Sequence, residues 1–440
     1  MTAFHTLIFQ VCLSLISTSV FALPFQLKTE LSHKNIMVND ASATAYIKVA
    51  LTGLDLDQDR PPLNVALVID RSGSMRGQRL VHAKKAAKLA LEMLKPDDIL
   101  SLIAYESKAE VLLPATKVGD GSMARKQIEN LRANGSTALY AGTELGGHEV
   151  VKFIDKENVN RVILLSDGIA NIGPSSPQDL AKLGAKLAGQ GIAVSTIGLG
   201  LGYNEDLMAR LADSSDGNHS FVEHANQLAK IMSLELNDAL AVVAQNVEIQ
   251  LTFPKGIRPV KALGRTAKFD GQVVTSKIKQ LITGTERFVL IEVEADKAIN
   301  LDDTPFAQVQ VKYRSNAGED GEATQLVQAK SAKTKADMEQ SAQTTVMESV
   351  VELIAREQQN LAIKLKDEGQ DDKAAQIMNK NSVYLQSNAS RYRSKKLKSM
   401  ETRSKEDQAI IKRKGKGKDW SRTRKSMRKR GYSSKAQMSF

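Results

Sequence analysis

The chain has 440 residues, enough for two or three domains that each bury a core, and carries 61 Lys and Arg against 50 Asp and Glu, a formal charge of +11. Its single cysteine, Cys12, lies near the amino terminus, which excludes a disulfide framework. The positive balance is local: residues 391–440 hold 19 Lys and Arg against 4 Asp and Glu, a net +15 that leaves −4 for the rest.

Residues 1–22 read as a signal peptide. Leu7 to Ile16 is apolar, and Val20 and Ala22 suit cleavage after Ala22, although no Lys or Arg precedes the apolar run. The stretch is short for an uncleaved anchor, and no later segment is long and apolar enough to span a bilayer. A cysteine-free exported chain of this kind fits a bacterial periplasm or cell envelope better than a eukaryotic exterior.

Residues 23–61 contain an alternating strand, Ala43–Leu51, and then a polar break in which Asp55, Asp57 and Asp59 lack the glycine and distal glutamate of a calcium loop. Strands and helices alternate over residues 62–244. Strands are predicted at 65–69, 99–105, 110–113, up to Ser166, 192–198 and 219–222. Helices are predicted at 78–94, 122–132, 138–156, 177–189, 204–213 and 224–243. Such alternation requires a parallel sheet with helices on both faces.

From 245 to 314 short alternating strands with Gly and Pro turns predict a β-sandwich, which residues 31–53 are expected to join. A polar linker is expected at 315–335, then a helical hairpin over 336–392, with helices at about 336–366 and 371–392. Residues 393–440 are expected to be a basic, disordered tail with sparse aromatics at Trp420, Tyr432 and Phe440.

The chemistry gathers at strand ends. Val65–Ile69 is a run of five apolar residues suited to a strand covered on both faces, and Asp70-Arg-Ser72-Gly-Ser74 follows it directly. Ligands in open α/β sheets collect beyond such carboxyl ends. Asp70, Ser72 and Ser74 alternate, so their oxygens can converge. Taken alone the pattern also suits turn or helix-cap residues. Asn134-Gly-Ser-Thr137 offers another hydroxyl, and Arg161–Leu165 ends in Ser166-Asp167-Gly168. The resulting inventory of hard oxygens with few charges suits magnesium.

These three segments resemble a von Willebrand factor type A domain over roughly residues 62–244. Asp70, Ser72, Ser74, Thr137 and Asp167 match the metal-ion-dependent adhesion site of that family. The resemblance implies that the serines and threonine coordinate a metal, that the aspartates act directly or through water, and that a partner's Asp or Glu carboxylate completes the shell. Magnesium is the implied ion, with manganese or calcium as substitutes. The fold class is therefore α/β, a Rossmann-like doubly wound domain inserted in or flanked by a β-sandwich, followed by the helical hairpin and basic tail. In order and texture the whole chain is similar to bacterial exported proteins that resemble inter-alpha-trypsin inhibitor heavy chains and calcium-activated chloride channel regulators.

Catalysis is not supported. The six histidines form no metal-protease pattern, and none lies near the three loops as a base for Ser72 or Ser74. His148 and Glu149 read as surface or packing residues, and His219 and His224 as a solvated pair. Gly198, Gly200 and Gly202 fail the dinucleotide spacing and read as turn glycines. The expected function is non-enzymatic, metal-dependent binding of a protein partner. The alternative is a scaffold held to an anionic membrane surface by residues 391–440; export disfavours nucleic acid.

Overall fold

A computed structural model describes residues 23–38, 43–55, 60–155, 158–168, 170–296, 299–316, 318–413 and 417–436. The signal peptide at 1–22, Asp57, Asp59 and Phe440 lie outside the described residues.

The chain begins with β1 (Phe25–Leu31), β2 (Asn35–Met37) and β3 (Ala43–Gly53). The alternating segment follows as β4 (Leu63–Asp70), α1 (Gln78–Met93), β5 (Ile99–Tyr105), β6 (Ala109–Lys117), α2 (Ser122–Asn130), α3 (Leu139–Val151), β7 (Val159–Ser166), α4 (Pro177–Gly189), β8 (Ala193–Leu199), α5 (Glu205–Ser215), β9 (His219–Val222) and α6 (Leu228–Leu240). Its strands form one sheet in the order β6-β5-β4-β7-β8-β9, parallel except for β6. Every residue of β4, β5, β7 and β8 is buried, which is why these strands read as nearly continuous apolar runs. One face packs Val65, Leu67 and Ile163 against Ala83, Ala87 and Leu91 of α1 and Leu236 of α6; the other packs Val68 and Leu164 against Leu139, Leu183 and Leu211 of α3, α4 and α5.

Local chemistry sets the ends of these helices. Ser176 caps α4 by accepting the Asp179 N–H at 3.1 Å, with Pro177 in the first helical position. Asn204 caps α5 in the same manner through the Leu207 N–H, 3.2 Å away.

Next come β10 (Val242–Thr252), β11 (Ile257–Leu263), β12 (Ala267–Asp270), β13 (Val273–Ile282), β14 (Glu286–Ala295), β15 (Ala307–Ser315), β16 (Asp320–Val327) and β17 (Lys330–Ala332). They build two antiparallel sheets, β1-β3-β14-β11 and β12-β13-β10-β15-β16, while β17 pairs in parallel with β2. Ile47, Val49, Ile249, Ile278, Ile291 and Val309 from both sheets share one core. The strands before the parallel sheet thus pair with strands after it. The sandwich meets the parallel-sheet unit through Arg161 of β7, whose guanidinium donates to the Gln280 side chain at 2.5 Å and to the Glu235 carbonyl at 3.2 Å.

Residues 315–335, expected as a linker, instead supply β16 and β17. Side chains of β16 alternate exposed and half-buried, so this edge strand needs few apolar residues and its sequence looks like a loop.

The carboxyl-terminal region contains α7 (Lys335–Gln340), α8 (Thr344–Asp367), α9 (Asp371–Arg391), α10 (Lys395–Ile411) and α11 (Lys418–Ala436). The first expected helix is therefore interrupted at Ser341–Gln343. Val346, Val350 and Leu353 of α8 cover Leu263 and Leu290 on the outer face of the four-stranded sheet.

The disordered tail expected beyond residue 393 is also corrected: residues 395–411 and 418–436 are helical. Leu397, Met400 and Ile411 pack on α8 and α9, and Trp420 and Met427 of α11 join Ile363 and Met378. A few well-spaced apolar residues, combined with acidic partners elsewhere in the chain, hold a sequence whose charge alone predicts disorder.

Candidate functional site

The parallel ladder aligns Ile69 with Leu165, so Asp70 at the end of β4 comes level with Ser166 at the end of β7. The Asp70 carboxylate is fully buried. One oxygen accepts the Ser72 N–H at 2.8 Å and the other accepts the Ser166 hydroxyl at 2.8 Å. Among the described residues it makes no ion pair, and burial pushes its carboxyl up to about 6 against the hydrogen bonds from Ser72 and Ser166.

Beyond Asp70 the chain turns sharply. The Arg71 N–H donates to the Tyr105 carbonyl, and the Gly73 N–H donates to the Gly135 carbonyl at 3.0 Å, which ties the first loop to the loop carrying Thr137. The Ser72 and Ser74 hydroxyl oxygens are 3.0 Å apart, and the Ser74 hydroxyl donates to Asp167 Oδ1 at 2.7 Å. Asp167 Oδ2 accepts from Arg79 Nη1.

Thr137 precedes α3 and is buried; its N–H donates to the Asn171 side-chain oxygen at 2.8 Å, and its carbonyl accepts the Asn171 N–H at 3.1 Å. A Cβ placed on Gly168 would lie 3.1 Å from the Thr137 hydroxyl and 3.7 Å from Asp70 Oδ2. That hydroxyl and that carboxylate therefore border the same small space, kept open by a residue without a side chain.

Four of the five residues singled out from the sequence are thus in one hydrogen-bonded group, with Thr137 on its border. Asp70, Ser72, Thr137 and Asp167 are buried and Ser74 is exposed, so the group opens to solvent on the Ser74 side. Two carboxylates and three hydroxyls, with no nitrogen or sulfur donor, form a set that a hard divalent cation fits. Among the described residues no group of three or more His, Cys, Asp and Glu side chains is arranged to hold a metal. The hydroxyl-rich cluster is of a different composition.

Three contributors were missed in the sequence. Ser166 orients Asp70, Arg79 pairs with Asp167, and Tyr105 lies buried beneath the cluster with its hydroxyl donating to the Leu165 carbonyl at 3.2 Å. Burial and the nearby Asp70 raise the Tyr105 phenol well above its usual range. Position in the helix makes Arg79 visible at the start of α1, but its partner depends on how β7 lies beside β4.

The other sequence candidates lie elsewhere. His148 is exposed on α3, while Glu149 is buried and accepts the Ala115 N–H at 2.9 Å. His219 is not solvated as expected: it is buried on β9, with Nδ1 2.8 Å from the Thr196 hydroxyl and Nε2 3.3 Å from the Tyr203 hydroxyl. Its period-two position in a short strand gave no sign of the α11 cover. The basic residues at the carboxyl terminus also have internal partners. Arg424 pairs with Glu205, Asp206 and Asp367, Lys425 with Glu205, Arg428 with Asp206 and Arg430 with Asp407. Among the described residues no helix is long and apolar enough to cross a membrane.

The family model of the von Willebrand factor type A domain matches residues 64–234. The chain is 28% identical over 294 residues to the uncharacterized protein sll0103 of Synechocystis sp., covering 64% of this chain and 69% of that protein. It is 30% identical over 210 residues to the uncharacterized protein YfbK of Escherichia coli, covering 47% of this chain but only 36% of the relative. A shorter match, 29% over 165 residues, reaches inter-alpha-trypsin inhibitor heavy chain H3 of Homo sapiens and covers 36% of this chain and 18% of that one. In structure it is similar to a von Willebrand factor type A protein from Catenulispora acidiphila, with a TM-score of 0.68 and 17% identity, covering 84% of this chain and 89% of that one. At that identity the likeness shows the fold.

Proposed function

Since residues 64–234 form a von Willebrand factor type A domain, an interaction module in general, we propose that this protein binds a protein partner in a metal-dependent way through Asp70, Ser72, Ser74, Thr137 and Asp167. The observation that carries the reading is the convergence of three loops on Asp70, a buried carboxylate that among the described residues accepts from the Ser72 N–H and the Ser166 hydroxyl. A bound magnesium, or manganese or calcium in its place, supplies a Lewis-acidic position that attracts a partner's Asp or Glu carboxylate.

The chain's own part is orientation. Ser166 and the Ser72 N–H fix the Asp70 carboxylate, the Gly73–Gly135 bond fixes the Thr137 loop, and Ser74 keeps one open side at the surface. We read the role as binding without catalysis, with the Asp167 carboxylate beside Ser74 serving to orient its hydroxyl. We assign it to the bacterial cell envelope on the signal-like residues 1–22.

A scaffold that holds anionic membranes through its basic end is the weaker reading, because Arg424, Lys425, Arg428 and Arg430 are bound to acidic side chains of the protein. The test is a pull-down from an envelope fraction with magnesium or excess chelator, comparing the parent with Asp70→Ala. Partner recovery is expected only for the parent with magnesium. Equal recovery in chelator overturns the metal-bridged reading.

A further inference from the structure

The two carboxylates of the candidate site are not treated alike. Asp70 has no cation against it among the described residues, whereas Asp167 is held by Arg79, the second residue of α1. Arg79 Nη1 lies 2.5 Å from Asp167 Oδ2 and 3.3 Å from the Ser74 carbonyl. The Asp167 side chain is 0% exposed and that of Arg79 44%. The arginine can therefore swing into solvent, while the aspartate cannot follow it.

A backbone turn lies close under the guanidinium and its outer side is left to solvent. Gly200, at φ +76°, lies beneath it in the turn between β8 and α5, and a Cβ there would come within 3.6 Å of Arg79 Nη2. With Asp167 Oδ1 already accepting from Ser74, Arg79 occupies the second oxygen of the same carboxylate.

We propose that Arg79 is a tethered competitor for the metal: its guanidinium neutralises Asp167 while the site is empty of metal and is displaced when a divalent ion binds. This rests on the reading of the cluster as a divalent-ion site. The physical reason is charge. Two carboxylates balance one divalent ion, so a guanidinium left in contact would stand beside it as an uncompensated like charge at short range. Arg79 thereby lowers metal affinity and steadies the metal-free fold. Arg76, an exposed arginine of the same turn, makes no ion pair among the described residues and supplies the control for net charge.

The experiment titrates the full chain with Mn2+, reading free Mn2+ by electron paramagnetic resonance, for the parent, Arg79→Gln, Arg76→Gln and Asp70→Ala. Arg79→Gln is expected to bind about fivefold tighter than the parent, with Arg76→Gln within about twofold, since an ion pair with one exposed member has an effect of that order. Metal-free Arg79→Gln is expected to melt below the parent, and saturating Mn2+ to close the gap. Unchanged or weaker affinity in Arg79→Gln overturns the proposal, as does equal tightening in Arg76→Gln. If folded parent binds no Mn2+, or Asp70→Ala binds as the parent does, the underlying metal reading fails instead.

Discussion

Lys425 of α11 places its ammonium 2.7 Å from the carbonyl oxygen of Tyr203 and 4.2 Å from the centre of that ring. Tyr203 follows Gly202, where a Cβ would lie 3.5 Å from the Asp167 carbonyl oxygen. The carboxyl-terminal helix is thus joined to the turn that backs the second carboxylate loop. A segment that composition marks as a solvated tail is a structural part of the domain.

Arg424→Ala should loosen this join. It removes one cationic partner each from Glu205, Asp206 and Asp367, leaving the buried Glu205 with Lys425 among the described residues. The expected loss is about 2 kcal/mol, below the full figure for breaking a buried pair because Lys425 remains. Limited proteolysis should cut the variant between α10 and α11 at protease levels that spare the parent, and an unchanged cleavage pattern counts against the join.

Trp420→Ala tests the apolar half of the same attachment. The indole is 4% exposed among Ile363, Met378, Ile411 and Met427, and its N–H donates to Asp367 at 3.3 Å. A truncation of this size in a core should destabilise the helical region by about 3 kcal/mol. Hydrogen exchange should rise in α11 first, with the parallel sheet still protected.

His219 should make the fold acid-sensitive. Burial, then Lys425 and Lys429, lowers its pKa to about 3 from 6.5. Between those values the unfolded chain binds the proton and the folded chain does not, so stability is complete above about pH 6.5 and falls as pH drops. The loss from this group between pH 7.5 and 5.5 is on the order of 1 kcal/mol. In His219→Gln that part of the slope should vanish; an identical slope in denaturant melts would exclude this residue as its source.

Gly142→Ala should disturb the site from beneath. A Cβ at Gly142 of α3 would sit 2.6 Å from Tyr105 Cδ1, and Tyr105 is bonded to the end of β7. Either α3 lifts from the sheet or the ring moves, at a cost of about 2 kcal/mol. Because α3 starts just after Thr137, metal affinity should fall together with melting temperature. A fall in melting temperature alone would separate α3 packing from the Thr137 loop.

The alternation of strands and helices over 62–244 and the order of the three loops were legible because buried parallel strands are written as apolar runs and their ends as Asp, Ser and Gly. Asp70, Ser72 and Ser74 lie within five positions of one another, so local spacing sufficed to group them. Asp167 needed the ladder register of β4 and β7 to be brought near, and Thr137 the bond from Gly73 to Gly135. Arg79 on Asp167, Ser166 on Asp70 and His219 under α11 are contacts between segments with no sequence period in common. The helices beyond residue 393 were hidden for the same reason: a few apolar anchors such as Trp420 and Met427 and acids at 205, 206, 367 and 407 hold them, and charge counted along a chain does not show which opposite charge it will meet in space.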